Sequence, residues 1–271
     1  MQVIGIVAEY NPFHTGHAYQ IACTRQAQGE DCAVVAVMSG NWVQGGRPAV
    51  LDKWTRARLA LLGGVDLVLE LPTVWAVSSA ETFARGAVTI LERSGVVNVL
   101  SFGSECGDVD RIQRVAVCLN SLEYEVGVGR LAAEGMPFAA ARQAAVQGLL
   151  GEELSSLLAT PNNNLGVEYL RTLDSLKSDI QPMTVRREGA PHDSLLEEAD
   201  RPRYLSATQL RAYLERGDWL ALEPYLPKGG LEVLKEGWNG FPSLQQMERG
   251  ILAKLRTMTA EDWSHIPDSG A

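Results

Sequence analysis

The stretch Asn11-Pro12-Phe13-His14-Thr15-Gly16-His17 spends two of the chain's four histidines at one turn, directly after the apolar run Val3-Ile4-Gly5-Ile6-Val7-Ala8. An unperturbed imidazole titrates near pH 6.5, so at neutral pH it can donate hydrogen bonds to phosphoryl oxygens and stabilise charge that builds up during transfer. His14 and His17 are three apart and face one side as a helix begins. Gly16 removes a β-carbon between them, so that backbone can approach an anion closely. The pair therefore reads as an electrostatic stabiliser, with no covalent role required. One histidine alone would read as a satisfied core or surface residue; two around a glycine after a first strand do not. Asn11-Pro12 reads equally well as an ordinary loop. Neither G-x-x-x-x-G-K-[ST] nor G-x-G-x-x-G occurs at this turn, so the P-loop and the dinucleotide fingerprint do not apply.

Such a pair needs a rigid strand-to-helix frame. Apolar, β-branched runs at 3–8, 33–38, 67–70 and 97–102 predict strands, and 17–27, 53–62 and 80–92 have helical spacing. Gly63-Gly64 supplies a stop for the second helix. Alternation of this kind predicts a parallel sheet covered by helices. In an open parallel sheet ligands collect at the carboxyl ends of the strands, where a helix N-terminus offers free N–H groups and a positive dipole end. The first turn lies at such an end. From 109 to 158 the chain is rich in Ala, Leu, Glu and Gln without a convincing strand, which predicts a helical insertion. Pro161-Asn162-Asn163-Asn164 reads as an interruption before a helix over 166–176, and 180–187 returns to strand character. Ser206 is placed as the N-cap of a further helix, and the remainder from about 218 is helical with Pro and Gly breaks.

Composition narrows the function. The 271 residues are 46% hydrophobic and 21% charged, and no apolar run is long enough to cross a bilayer. The initial apolar run has no basic region before it and ends at Glu9, so it reads as a strand and not a signal peptide, which predicts a cytoplasmic location. Cys23, Cys32, Cys106 and Cys118 lie far apart, against a zinc site or a disulfide scaffold. A formal charge of −9 argues against generic nucleic-acid affinity and against DNA as a partner. RNA binding would need a local patch, for which Arg186, Arg187, Arg201, Arg203 and Arg211 are candidates, although a solvated face accounts for them as well. The final HIPDSGA holds no obvious closing element and reads either as a natural tail or as a point within a longer protein.

Two motifs in order sharpen the reading. His14-Thr15-Gly16-His17 resembles the H-x-G-H motif of the nucleotidyltransferase superfamily, and Ser206-Ala207-Thr208-Gln209-Leu210-Arg211 resembles its S-[ST]-T-x-[IL]-R element, which holds phosphates at a late helix. The segments GIVAEYNPFHTGH, VMSGNWVQGGRPAVLDKWTRARLAL, GVDLVLELP, FGSE and PNNNLGVEYL together resemble the tRNA(Met) cytidine acetate ligase family along most of the chain. That resemblance implies a Rossmann-like α/β nucleotidyltransferase sheet over 1–217, with a helical insertion at about 109–176 and a helical C-terminal part, 218–271, shorter than in family members. It implies activation of acetate with ATP to acetyl-adenylate, Mg2+ on the leaving pyrophosphate, and transfer of acetyl to N4 of the wobble cytidine of elongator tRNA(Met).

Carried over by residue, the resemblance makes His14 and His17 catalytic. ATP contacts are implied for Val7, Ala8, Glu9, Tyr10, Asn11, Pro12, Phe13, His14, Thr15, Gly16, His17, Ala18, Tyr19 and Gln20, and for Gly103, Asn162, Arg187, Ser206 and Thr208. Gly103 reads equally as a plain turn, Asn162 as a helix cap and Arg187 as a surface cation. Lys53 and Arg56 read either as a solvated helix face or as cations closing over the triphosphate. The chain departs from the family pattern at Gly45-Gly46-Arg47-Pro48 and at Ala190-Pro191-His192-Asp193. Two other functions remain open at this point: an adenylyltransferase acting on a small phosphorylated metabolite, and a nucleotide- or RNA-binding module without turnover.

Overall fold

A computed structural model describes residues 1–187 and 204–265. The chain runs β1 (Val3–Ala8), α1 (Thr15–Gln28), β2 (Ala33–Ser39), β3 (Trp42–Val43), β4 (Arg47–Pro48), α2 (Lys53–Leu62) and β5 (Leu67–Leu71). It continues through α3 (Thr73–Ala76), α4 (Ala80–Arg93), β6 (Val99–Ser104), α5 (Val109–Leu119), α6 (Leu122–Ala133), α7 (Phe138–Leu150), α8 (Glu152–Ser155), α9 (Pro161–Leu176) and β7 (Gln181–Arg186). After residue 203 come α10 (Ala207–Arg216), α11 (Trp219–Leu222), α12 (Gly230–Gly237), α13 (Leu244–Thr257) and α14 (Ala260–Ser264). The five long strands are parallel in the order β5-β2-β1-β6-β7. Strand order reverses between β1 and β6, so the loops leaving their carboxyl ends part and open a crevice, the usual ligand position of doubly wound sheets.

Side chains alternate between the two faces of the sheet. Val35 and Val37 of β2 pack with Phe83, Leu91, Ile112 and Leu170 of the helices on one face, while Val34, Ala36 and Met38 pack with Leu59, Leu210 and Leu234 on the other. Leu222, Tyr225, Leu231 and Leu234, from the region after 218, belong to the same buried cluster as Ile4 and Ile6 of β1. No residue of α13 or α14 is buried.

Three sequence expectations change. Pro161-Asn162-Asn163-Asn164 does not interrupt a helix but forms the first turn of α9, with Pro at a first-turn position where its missing N–H costs nothing. The cap comes from 57 residues away in sequence, since both oxygens of Glu105 accept the Asn162 and Asn163 N–H groups. Arg56 is neither solvated nor aimed at a ligand. It is fully buried and donates to the carbonyls of Leu51, Glu9, Ser39 and Gly40, tying together the loops that leave β1 and β2. Lys53 is engaged by Glu70. The departure at Gly45-Gly46 makes the turn between β3 and β4, where both glycines take left-handed backbone at φ 76° and 67°.

Replacing Arg56 with Leu would remove the guanidinium that serves four carbonyls, three of them in buried bonds. Arg56→Leu should cost about 3–5 kcal/mol of folding stability. Urea denaturation measures this, and a loss below about 1 kcal/mol would show that other donors replace the guanidinium.

Candidate active site

His14 is the N-cap of α1, its Nδ1 accepting the Gly16 N–H at 3.0 Å, while the Nδ1 of His17 accepts the His14 N–H at 3.2 Å. This is a capping box in which histidine stands where Glu or Gln is usual. An Nδ1 that accepts cannot carry a proton, so each neutral ring holds its hydrogen on Nε2. The rings stack at 3.8 Å with planes 29° apart. Burial, then Arg187 and Arg211, push the His14 pKa down to about 3, and burial, His14 and Arg187 hold His17 well below the ordinary imidazole value. At neutral pH the pair is therefore two uncharged Nε2–H donors. Gly16 serves the ring more directly than a ligand, since a β-carbon there would lie 2.9 Å from His14 Cε1. Beneath the pair, Tyr10 meets Phe13 at 4.8 Å and His17 at 4.9 Å edge to face, and Phe13 is fully buried.

These rings line a cleft of about 340 Å³ at the carboxyl ends of β1 and β6. Of the residues singled out in sequence, Val7, Ala8, Glu9, Tyr10, Asn11, His14, His17, Gln20, Gly103, Asn162, Arg187 and Ser206 line it. Gly16 and Tyr19 open onto a smaller recess beside the imidazoles. Pro12, Phe13, Thr15, Ala18 and Thr208 line neither; Phe13 and Ala18 pack in the core cluster below, and Thr208 Oγ1 accepts from Arg211 at 2.9 Å. Sequence reasoning passed over Gln44, Phe83, Phe102, Leu165 and Tyr169, which form much of the remaining wall. Aromatic and aliphatic walls carry no pattern distinct from core positions. Arg211 had a signal, as the last residue of the second motif, and it lines the cleft while donating to the Asn11 carbonyl at 2.9 Å.

Among the described residues, charge in the cleft comes from Arg187 and Arg211 against the single carboxylate Glu9. Arg187 follows β7, where its N–H donates to Ser104 O at 2.9 Å. Ser206 caps α10 with Gln209 in a second capping box, so the N-terminus of α10 stands at the cleft beside Ala207. Asn162 donates its Nδ2 to Glu105 at 2.6 Å, which leaves its Oδ1 as an acceptor. Burial works against the Glu105 charge, but hydrogen bonds from Asn162 and Asn163 outweigh it and hold the carboxyl below its ordinary range. Arg186 lines the smaller recess. Arg201, Arg203 and Ala190-Pro191-His192-Asp193 lie outside the described residues. Among the described residues no group of three or more His, Cys, Asp or Glu is placed to hold a metal ion.

A doubly wound parallel sheet with a capping histidine pair at the first turn and a Ser-capped helix facing it defines a nucleotidyltransferase-type α/β protein. The model of one family, HIGH Nucleotidyl Transferase, matches residues 1–270, and the chain belongs to that family. The tRNA(Met) cytidine acetate ligase of Caldanaerobacter subterraneus subsp. tengcongensis is 42% identical over 265 residues, covering 95% of this chain and 65% of that protein. The protein of the same name from Clostridium botulinum strain Langeland is 43% identical over 254 residues, covering 88% of this chain and 61% of that one. The crystal structure of Thermotoga maritima TmcAL bound with alpha-thio ATP superposes with a TM-score of 0.86 at 36% identity, over 98% of this chain and 64% of that one. The chain thus spans less than two thirds of the length of these relatives.

The neutral state of His14 has a consequence for stability. On unfolding, the residue takes up a proton as pH falls through about 6.5, whereas the folded ring stays neutral down to about 3. Stability from this residue is complete above the unfolded value and is lost toward acid pH. His14→Asn, which retains a cap acceptor, should flatten the stability slope between about pH 6 and about pH 4 by about 1.4 kcal/mol per pH unit. Urea melts across that range read the slope; an identical slope in both proteins would mean that the folded ring titrates normally.

Proposed function

We propose that this chain activates acetate with ATP to acetyl-adenylate and passes the acetyl group to N4 of the wobble cytidine of elongator tRNA(Met). The observation that carries the reading is the pair of neutral Nε2–H donors beside Arg187, Arg211 and the start of α10 in one cleft. Names of the relatives and the ATP analogue in the Thermotoga maritima structure support it. A carboxylate oxygen attacks the α-phosphorus of ATP in line; the new P–O bond forms as the bond to the α,β-bridging oxygen breaks, and its electron pair leaves with pyrophosphate. His14 and His17 donate to the α-phosphoryl oxygens as they gain charge, without proton transfer. Arg187, Arg211, Ser206 and the α10 N-terminus hold the phosphates. The cytidine amine then attacks the acyl carbon, AMP departs, and the nitrogen loses a proton. An anticodon loop presents that base unpaired.

Mg2+ belongs to the same proposal as a partner of the leaving phosphates. It would be held mainly by phosphate oxygens and water, the usual arrangement where one or two carboxylates are at hand, and Glu9 is the one lining the cleft. The described residues hold no helix long and apolar enough to cross a membrane, and a cytoplasmic site of action fits a tRNA substrate. We also propose a catalytic unit over 1–217 with its helical insertion at about 109–176.

Acetate-dependent exchange of labelled pyrophosphate into ATP tests the first half. His14→Ala and His17→Ala should each lower exchange about 10²–10³-fold. Exchange that survives both substitutions removes the imidazoles from the mechanism, and a stable adenylylated metabolite in place of acetyl-adenylate would replace the acceptor.

A further inference from the structure

Beside the main cleft lies a second, much smaller recess of about 30 Å³. The two share His14, His17, Gln20, Gly103 and Arg187, so these residues form the partition between them. On the far side of that partition the recess is lined by Gly16, Tyr19, Val185, Arg186, Tyr204 and Leu205. The Tyr19 and Tyr204 rings stand 5.2 Å apart, tilted by 38°. Among the described residues no acidic side chain lines it, and its two cations are both arginines.

We propose that this recess is the carboxylate subsite, and that its volume, set by Tyr19 and Tyr204, restricts the substrate to the shortest carboxylates. The inference rests on the proposed acetate activation and deepens it. In-line displacement requires the nucleophile and the leaving pyrophosphate on opposite sides of the α-phosphorus. An α-phosphoryl group touching both imidazoles sits at the partition. The pyrophosphate then extends into the large cleft toward Arg211 and Ser206, and the opposite side is the recess. Its chemistry suits the nucleophile, because Arg186 and Arg187 favour an anion at the partition, while the tyrosine rings, Val185 and Leu205 face a methyl group. Size decides among carboxylates. A water needs about 10–15 Å³ by this measure, so about 30 Å³ holds two or three groups of that size, enough for the oxygens and methyl of acetate. Tyr19 and Tyr204 are the rings a longer chain meets in the recess.

The test is the affinity of two non-hydrolysable acyl-adenylate analogues, acetyl- and butyryl-sulfamoyladenosine, measured by calorimetry with the protein, Tyr204→Ala, Tyr19→Ala and Tyr204→Phe. The wild type should prefer the acetyl analogue by at least about tenfold, the lower range for added methylenes in an apolar pocket. Tyr204→Ala and Tyr19→Ala should bring the ratio close to one, and Tyr204→Phe, which keeps the ring, should retain it. The two alanine variants open different walls, so a folding defect in one leaves the other informative. An acetyl preference that persists in both overturns the subsite. If neither analogue binds better than AMP while ATP still binds, the carboxylate-activation reading itself falls, and the subsite with it.

Discussion

Two backbone N–H groups decide what the imidazoles of this protein can do. Those of Gly16 and His14 donate to the Nδ1 atoms of His14 and His17, and so place both ring hydrogens on Nε2. Charge on either ring would cost the hydrogen bond that orients it and would place a cation against a stacked neighbour 3.8 Å away. Arg187 and Arg211 add to that cost from the cleft, in the same direction as burial. Neutral donors and cationic arginines thus coexist without mutual repulsion. The arginines supply net charge for an anion, and the histidines supply directed hydrogen bonds whose geometry is set before any ligand arrives.

That geometry is only as good as the loops that carry it. Loops leaving the carboxyl ends of parallel strands expose carbonyls with no ladder partner, and buried carbonyls demand donors. A single guanidinium, that of Arg56, answers four carbonyls, among them Glu9 after β1, Ser39 at the end of β2 and Gly40 just beyond it. Arg211 performs a related task across the cleft, donating to the Asn11 carbonyl from α10. The second motif is therefore joined by a direct hydrogen bond to the loop just before the first motif, although the two lie far apart in sequence.

The elements most visible in the sequence were those with local causes. β-Branched runs predicted β1, β2, β5 and β6 to within a residue or two, and Ser206 was placed correctly as a cap because its partner, Gln209, is three residues away. What escaped was non-local. The start of α9 depends on Glu105, and its sequence alone reads as a break. Arg56 at the start of an amphipathic helix looks like any surface cation; its burial follows from loops that converge only in three dimensions. Phe83, Phe102, Leu165 and Tyr169 obey the same periodicity as core residues, because a cleft wall and a core wall present the same apolar face to the chain. The histidine pair was found for its residue types, but the reason for Gly16 was misjudged: the nearest group it admits is the His14 ring.

A net charge of −9 and the proposed triphosphate site are reconciled by distance. Fields from surface carboxylates fade over a Debye length of about 8–10 Å at physiological salt, while groups lining a low-dielectric cleft act on its contents with little screening. Among the described residues lining the cleft the balance is two arginines to one carboxylate, and Glu9 accepts the Gln44 N–H, so part of its charge is turned to the loop between β3 and β4. The dipole of α10 adds a further positive end. Anion affinity is thus a property of the cleft and its immediate surroundings and not of the whole chain. The same reasoning separates the two halves of the proposed reaction. Nucleotide binding needs only this local field, whereas binding of a polyanionic tRNA would rest on phosphate contacts spread over a wider surface.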